Sequence, residues 1–187
     1  VIFVTQSPSN YLPNHASEIQ SALNINQNSI CFDINQGCSG FVQALFLAIK
    51  LLQNCEYLVI ICADTYSHHL SEDDRSTQAL FSDGATFTIL SSNPRWCLKG
   101  FSHLTDGSGS NFLHKEINRD KKLVMNGTAV FLWTRRVLGK QILEMLRKAD
   151  LKKDDVNSFF LHQASKFVLD NVQKGLAVSQ EKIPTSL

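Results

Sequence analysis

The succession of patterns over residues 30–63 constrains the fold of this chain more than any other feature. Ile30–Ile34 alternates like a half-buried strand, and Phe41–Leu52 is apolar except at Gln43 and Lys50, a polar stripe at helical spacing. Tyr57–Ala63 is a short, wholly apolar run, which is typical of a strand buried on both faces of a parallel sheet. Strand, helix and strand in this order predict a βαβ unit and therefore an α/β fold.

Cys38 lies in the turn between the first of these strands and the helix. The unpaired N–H groups at the amino end of a helix carry a partial positive charge, which lowers the pKa of a nearby thiol and favours a reactive thiolate. Gly37 and Gly40 are expected to leave room for a substrate to approach the backbone. The alternative interpretation of Cys38 is a buried structural cysteine.

The same pattern recurs near the end of the chain, where His162 lies between a predicted strand, Val156–Leu161, and a predicted helix, Ser165–Lys174. Functional residues of open α/β sheets gather at the carboxyl ends of strands, so two such halves facing each other would bring Cys38 and His162 together. A Cys–His pair is the minimal set for acyl transfer through a thioester. The alternative for His162 is a structural hydrogen-bonding role.

The remaining periodicity predicts further elements along the chain. These are helices at Asn14–Leu23 and Thr128–Lys148, strands at Thr86–Leu90 and Trp96–Leu104, a polar surface loop at Asp64–Gln78 and a charged turn at Lys152–Asp155. Asp83 is interpreted as a turn residue, with Gly84 supplying an unusual backbone angle, rather than as a catalytic carboxylate. Arg75 could hold a phosphate, but its spacing alone favours a solvated loop.

Composition narrows the functional classes. Eighteen basic and 17 acidic residues leave no basic field for nucleic acid. No apolar stretch reaches the ~20 residues that span a bilayer, and no signal peptide is visible from Val1 onwards. The five cysteines include no C-x-x-C pair, and the adjacent His68 and His69 have no evident third ligand. The sequence therefore predicts a reduced, cytoplasmic protein without a metal site.

Four segments resemble the β-ketoacyl-acyl-carrier-protein synthase III family in order and spacing, and the resemblance spans nearly the whole chain. Asp33–Phe41 resembles the family's nucleophile segment, and Met125–Phe131 resembles the segment before the first helix of the second half. Phe81–Ala85 resembles a Phe-Gly-Asp-Gly-Ala turn, with Ser82 in place of Gly. His162–Ser165 resembles a His-Gln-Ala-Asn segment, with serine in place of the final Asn.

The resemblance implies a thiolase-like fold, in which two similar α/β halves form a layered α-β-α-β-α architecture. Residues 1–92 would belong to the N-terminal half with Cys38, and residues 93–187 to the C-terminal half with His162. Cys38 would be the acylated nucleophile, its backbone N–H would contribute to an oxyanion hole, and His162 would assist decarboxylation of a malonyl thioester and stabilise the enolate.

The resemblance also implies substrates and partners. Arg75 would pack against the nucleotide end of coenzyme A, and Phe87 and Phe131 would lie near the acyl and pantetheine path. Coenzyme A or acyl-carrier-protein thioesters would be substrates, with no further cofactor. Acyl carrier protein would be a partner, and the enzyme would be a cytoplasmic homodimer of fatty acid biosynthesis and lipid metabolism.

The family's third catalytic residue, an Asn in a Gly-Asn-Thr-Ser segment, has no counterpart among the 187 residues. Both ends look truncated relative to the family, so we expect this chain alone to be inactive. Three other readings stay open: an acyltransferase or thioesterase relative with the same fold, a catalytically incomplete structural homologue, and an α/β-hydrolase. The last needs Gly-x-Cys-x-Gly, and Gln36 occupies the position of its first glycine.

Overall fold

A computed structural model describes residues 1–93, 95–116, 118 and 122–186. These residues form two compact units. The first comprises Val1–His68 and Phe81–Leu98, and the second comprises His69–Leu80 and Lys99–Leu187. The predicted division of the thiolase-like halves between residues 92 and 93 stays a prediction.

The first unit contains a mixed four-stranded sheet and two helices. Its elements are β1 (Ile2–Val4), α1 (His15–Ala22), β2 (Phe32–Ile34), α2 (Gly40–Leu51), β3 (Tyr57–Asp64) and β4 (Gly84–Ser91). The strand order is β2-β1-β3-β4, with β1 parallel to both β2 and β3 and with β4 antiparallel to β3. The predicted βαβ unit is confirmed, because α2 connects the parallel-running β2 and β3 on either side of β1.

The core of the first unit lies between α2 and the sheet. Small residues on α2 allow the helix to pack closely against the branched side chains of the strands. The fully buried members are Ile2, Val4, Ala44, Ala48, Leu58 and Ile60. The alternate β3 residues, such as Val59 and Ile61, are only partly buried. The prediction that β3 is buried on both faces of a parallel sheet is therefore corrected: its second neighbour is antiparallel, and one face is less covered within this unit.

The second unit is mainly helical. Its elements are α3 (Arg75–Gln78), β5 (Leu113–His114), β6 (Val124–Met125), α4 (Gly127–Lys148) and α5 (Lys166–Leu176). The antiparallel pair β5–β6 precedes α4, which begins where the Asn126 side chain accepts a hydrogen bond from the Ala129 amide. Apolar residues of α4 and α5 pack with the segments beside them, and the buried set is Leu146, Phe159, Val172, Leu176 and Ile183.

Two predicted strands are wrong. Within the described part of the chain, neither Trp96–Leu104 nor Val156–Leu161 forms a strand. An apolar run needs a neighbouring backbone to complete a ladder, and the Phe159 amide instead makes one hydrogen bond of 2.7 Å to the Lys182 carbonyl. The side chains of Trp96 and Phe160 are each 85 % exposed.

The predicted polar loop Asp64–Gln78 is more ordered than its composition indicates. It contains a 3-10 turn at Tyr66–His69 and the short helix α3, and the side chain of Thr77 is fully buried. Lys153–Asp155 forms a 3-10 turn at the predicted charged turn. None of the helices in the described ranges combines the length and the apolar character that crossing a membrane requires.

Candidate active site

Cys38 is exposed in the turn that leads from β2 into α2. The helix begins at Gly40, whose amide donates to the Gly37 carbonyl over 2.8 Å. Ser39 holds the N-cap position, but its side chain makes no capping hydrogen bond within the described residues. The Ser39 hydroxyl therefore does not neutralise the first-turn amides of α2, and their partial positive charge lies beside the thiol. This is the placement that the sequence predicted for Cys38.

Gly37 and Gly40 pack closely against other residues of the unit, and their role in substrate access stays a prediction. A Cβ at Gly37 would lie 2.5 Å from Oε1 of Gln6. A Cβ at Gly40 would overlap Cγ1 of Val4, a buried residue of β1. The two glycines let the turn lie directly against β1 and the residue after it, which fixes the position of Cys38 relative to the sheet.

Tyr66 forms a hydrogen bond behind the Cys38 turn that could not be predicted from the sequence. Its hydroxyl donates a 2.6 Å hydrogen bond to Oε1 of Gln6, the same atom that approaches Gly37. Burial, followed by the negative charges of Asp64 and Cys38, raises the pKa of Tyr66 to about 12. The phenol therefore stays protonated at neutral pH and acts as a hydrogen-bond donor behind the Cys38 turn.

Asp64 joins the carboxyl ends of β1 and β3. Its Oδ1 accepts hydrogen bonds from the Thr5 hydroxyl, the Gln6 amide, and the amide and hydroxyl of Ser7, at 2.7–3.0 Å. Ser7 Oγ in turn accepts from the amide of Thr65 over 2.8 Å. The sequence signal for this group was weak: polar residues that directly follow two strands. These polar residues meet because β1 and β3 are adjacent and parallel, so that their carboxyl ends lie side by side.

Asp83 stabilises the approach to β4. Its carboxylate accepts from the Ser67 amide over 2.8 Å and from the Ser67 hydroxyl over 2.7 Å. Gly84 is the first residue of β4 and pairs with Asp64, and no described glycine has a positive φ. The predicted unusual backbone angle at Gly84 is therefore wrong. Phe87, further along β4, pairs with Ile61 and is 69 % exposed.

His162 lies exposed at the end of an irregular segment in the second unit. The neighbouring Gln163 fixes this segment, because its amide donates to the carbonyls of Leu161 (3.0 Å) and Pro184 (3.4 Å). Ser165 then caps α5 by accepting from the Val168 amide over 3.3 Å. The predicted helix after His162 is confirmed, whereas the predicted strand before it is replaced by these side-chain contacts.

Arg75 is exposed at the first position of α3. The preceding Asp74 caps this helix through the amide and hydroxyl of Ser76 and the hydroxyl of Thr77. Hydrogen bonds from these two hydroxyls lower the pKa of Asp74. Arg75 is thus presented from a short ordered turn rather than from a solvated loop.

Phe131 lies in the first turns of α4 and packs against Phe167, with ring centroids 4.7 Å apart. It lines a groove together with Thr134, Val168 and Asn171, between α4 and α5. Of the predicted site residues, Cys38 and Phe87 belong to the first unit, and His162, Arg75 and Phe131 belong to the second. The proximity of Cys38 and His162 stays a prediction.

Comparison with known proteins identifies the relationship. A family model described as 3-oxoacyl-[acyl-carrier-protein] synthase III matches residues 32–122, which include the Cys38 turn. The chain is 31 % identical over 199 residues to β-ketoacyl-[acyl-carrier-protein] synthase III of Streptococcus agalactiae, covering 100 % of this chain and 61 % of the relative. It is 32 % identical over 203 residues to the protein of that name in Clostridium perfringens, covering 100 % and 62 %.

The chain is thus similar over its whole length to proteins of the 3-oxoacyl-acyl-carrier-protein synthase III family. A crystal structure of 3-oxoacyl-(acyl carrier protein) synthase III from Pseudomonas aeruginosa PAO1 superposes with a TM-score of 0.90 at 25 % identity, covering 99 % of this chain and 60 % of that one. The enzyme from Aquifex aeolicus VF5 gives a TM-score of 0.89 at 27 % identity, covering 97 % and 59 %. The fold is thus part of a thiolase-like α/β architecture, and the chain spans about three-fifths of the curated relatives it matches.

The predicted site residues differ in how many contacts hold them in place. The Cys38 turn is held by glycine packing against β1 and by the Tyr66–Gln6 hydrogen bond. Hydrogen bonds of Gln163 and Phe159 hold the His162 segment. Ser82 and Ser165 depart from the family motifs, and Ser165 has a local purpose as the cap of α5.

Proposed function

We propose that the full-length protein is a β-ketoacyl-acyl-carrier-protein synthase III, which joins an acyl thioester to a malonyl thioester by decarboxylating condensation. The observation that carries the proposal is the exposed Cys38 thiol at the amino end of α2, backed by a rigid turn. Similarity to β-ketoacyl-acyl-carrier-protein synthase III proteins supports the reaction type. The same proposal makes the enzyme a cytoplasmic homodimer of fatty acid biosynthesis that accepts malonyl groups from acyl carrier protein.

The first step uses Cys38. Its thiolate attacks the carbonyl carbon of the acyl thioester, and the donor thiolate leaves as the acyl-cysteine forms. Amides at the start of α2 suit the developing oxyanion, since they are fixed by the helix and need no reorganisation. Tyr66 supports the turn through Gln6, so the thiol keeps its position while its charge changes.

The second step uses His162. Loss of carbon dioxide from the malonyl thioester leaves an enolate, and a hydrogen bond from the imidazole stabilises its oxygen. The enolate carbon then attacks the acyl-cysteine carbonyl and expels the Cys38 thiolate, which gives a β-ketoacyl thioester. This step requires the two residues to face one substrate, which is the part of the proposal that the experiment has to test.

Acyl mapping and carbon dioxide release test the two steps separately. The full-length protein is incubated with an acyl-coenzyme A thioester, and the modified peptide is identified by mass spectrometry before malonyl thioester is added. We expect an adduct on Cys38 and subsequent carbon dioxide release, and loss of both in Cys38→Ala. Cys55→Ala and Cys97→Ala, which remove two other exposed cysteines, should retain both. An adduct on Cys62 or Cys97 with none on Cys38 would contradict the proposal.

The fate of the acyl group distinguishes the alternatives. Transfer to water or to an alcohol or amine, without carbon dioxide release, would indicate an acyltransferase or thioesterase relative that uses the same cysteine. Absence of an adduct in the folded full-length protein would indicate a structural homologue.

Arg75 provides a test of the substrate's nucleotide end. Charge reversal in Arg75→Glu should raise the KM for a coenzyme A thioester but have little effect on a pantetheine thioester, which lacks the nucleotide. Arg95→Glu, at an exposed arginine of the first unit, is the matched control. Equal effects of Arg75→Glu on both substrates would remove Arg75 from the proposed site. Phe87 and Phe131 remain proposed neighbours of the acyl and pantetheine path.

A further inference from the structure

Ser9, His15 and Asp33 form a hydroxyl–imidazole–carboxylate series in the first unit, and none of them takes part in the proposed condensation. Nε2 of His15 lies 3.0 Å from Oγ of Ser9, and Nδ1 lies 3.2 Å from Oδ2 of Asp33. These are hydrogen-bond distances on both sides of one imidazole ring. The order of groups is the one that serine hydrolases use to activate a hydroxyl.

The neighbouring hydrogen bonds determine which nitrogen of His15 carries the proton. The backbone amide of Ser9 donates to Nε2 over 3.2 Å, so this nitrogen presents its lone pair. In the neutral ring the proton therefore resides on Nδ1, where it is donated to Asp33. The one lone pair of Nε2 then accepts from both the amide and the hydroxyl of Ser9, and its bond to the hydroxyl is the one that a general base uses.

The base is rigidly held, whereas the nucleophile is accessible. The Asp33 carboxylate is fixed by the amides of His15 (2.8 Å) and Ala16 (2.9 Å) at the start of α1. The imidazole stacks on Phe3, with ring centroids 5.6 Å apart and an interplanar angle of 24°. The His15 side chain is only 14 % exposed, while Ser9 is an exposed residue. A reagent from solvent can therefore reach the hydroxyl while the base stays oriented.

Asn10 competes for the same proton. The Ser9 hydroxyl also donates to Oδ1 of Asn10 over 2.8 Å, so Asn10 and His15 compete for its single hydrogen. A hydroxyl turned toward Asn10 does not point at the imidazole. Removal of the Asn10 acceptor should therefore increase the reactivity of Ser9, an effect opposite in sign to removal of His15.

We propose that Ser9 is a second nucleophile, activated by His15 and Asp33, that accepts acyl groups from small activated esters. Ser9 Oγ bonds to the carbonyl carbon as its proton passes to His15 Nε2. The ester C–O bond then breaks, and the same proton passes to the leaving oxygen. Water attacks the acyl-serine in the same way: one of its protons passes through His15 to Ser9 Oγ, and a carboxylic acid is released. The proposal is independent of the proposed function, since neither Cys38 nor His162 participates.

The test uses the full-length protein carrying Cys38→Ala, so that the Cys38 thiol cannot accept the acyl group. An alkyl fluorophosphonate, which loses fluoride as the serine P–O bond forms, is mapped by mass spectrometry, and p-nitrophenyl acetate hydrolysis is followed in parallel. We expect an adduct on Ser9 and its loss in Ser9→Ala. His15→Gln should slow labelling by about 100-fold, the usual contribution of a general base. Asn10→Ala should accelerate it by about threefold, the value of one net hydrogen bond.

Ser17→Ala, at an exposed serine of α1, is the matched control and should leave the labelling rate unchanged. Circular dichroism of each variant establishes folding, and the Asn10→Ala arm does not depend on the stability of the His15 variant. The proposal is overturned if Ser9 stays unlabelled in the folded Cys38→Ala protein. It is equally overturned if folded His15→Gln labels Ser9 at the parental rate, since the hydroxyl would then react without its base.

Discussion

The Cys38 turn follows a strand that is paired in a sheet, whereas the His162 segment follows an irregular stretch whose Phe159 amide donates to the Lys182 carbonyl. The first turn packs its glycines against β1, and the second is held by the side chain of Gln163. The Cys38 turn and the His162 segment each precede the first turn of a helix. One sequence pattern is thus realised by two different sets of contacts, and the residue that we propose as nucleophile has the more constrained of the two.

We expect Cys38 and His162 to serve different steps, acylation and decarboxylation, and a substitution at His162 tests this. In the full-length protein, His162→Ala should leave the acyl adduct on Cys38 but reduce carbon dioxide release by about 10²–10³-fold, the usual cost of losing one donor to a developing oxyanion. The measurement is adduct mapping together with carbon dioxide release from a malonyl thioester. His114→Ala, at an exposed histidine of β5, is the control. Loss of the adduct as well would mean that both residues serve the first step.

The glycines of the two units should respond oppositely to the same substitution. Gly40→Ala places a Cβ against Val4, and such overpacking costs about 1–3 kcal/mol. Gly139 lies within α4, and apart from its chain neighbours and the nearby backbone of the helix, no described heavy atom lies within 4 Å of the position its Cβ would take. Gly139→Ala should therefore stabilise the protein by about 0.5–1 kcal/mol through helix propensity. Urea unfolding of the full-length protein measures both, and equal signs would contradict the packing role of Gly40.

The predictions that succeeded depended on short-range patterns. The apolar repeats of α2, α4 and α5 are local, and these helices were predicted to within a few residues. The failures involve partners distant in sequence. Val156–Leu161 has the composition of a strand but forms no ladder among the described residues. The hydrogen bonds to Asp64 form because β1 and β3 are parallel neighbours. No local pattern specifies such pairings.

Tyr66, behind the Cys38 turn, should make the stability of the first unit depend on pH in the alkaline range. Because its folded pKa is about 12, above the ordinary value of ~10 for an unfolded tyrosine, the folded state holds this proton more tightly. Its contribution is fully present below pH ~10 and is lost as pH rises through about 12. After allowance for solvent screening at a partly exposed group, we expect a contribution of about 1–2 kcal/mol. Between these pH values, Tyr66→Phe should lose less unfolding free energy than the parent protein does. An equal loss in both proteins would mean that Tyr66 does not contribute to the stability of the turn.

The smallest expected difference concerns the serines that begin the two helices. Ser165 accepts from the Val168 amide, so Ser165→Ala removes a cap worth about 1 kcal/mol. Ser39 occupies the same position before α2, and its side chain makes no capping bond to any residue that the structure describes. Ser39→Ala should therefore change the free energy of unfolding by less than about 0.5 kcal/mol. The reason lies in the packing of each helix start: α2 is fixed by Gly40 against Val4, whereas α5 begins with exposed residues and depends on its cap. Thermal unfolding of the two variants measures the contrast, and a larger cost at Ser39 than at Ser165 would reverse the assignment of which helix start is held by packing.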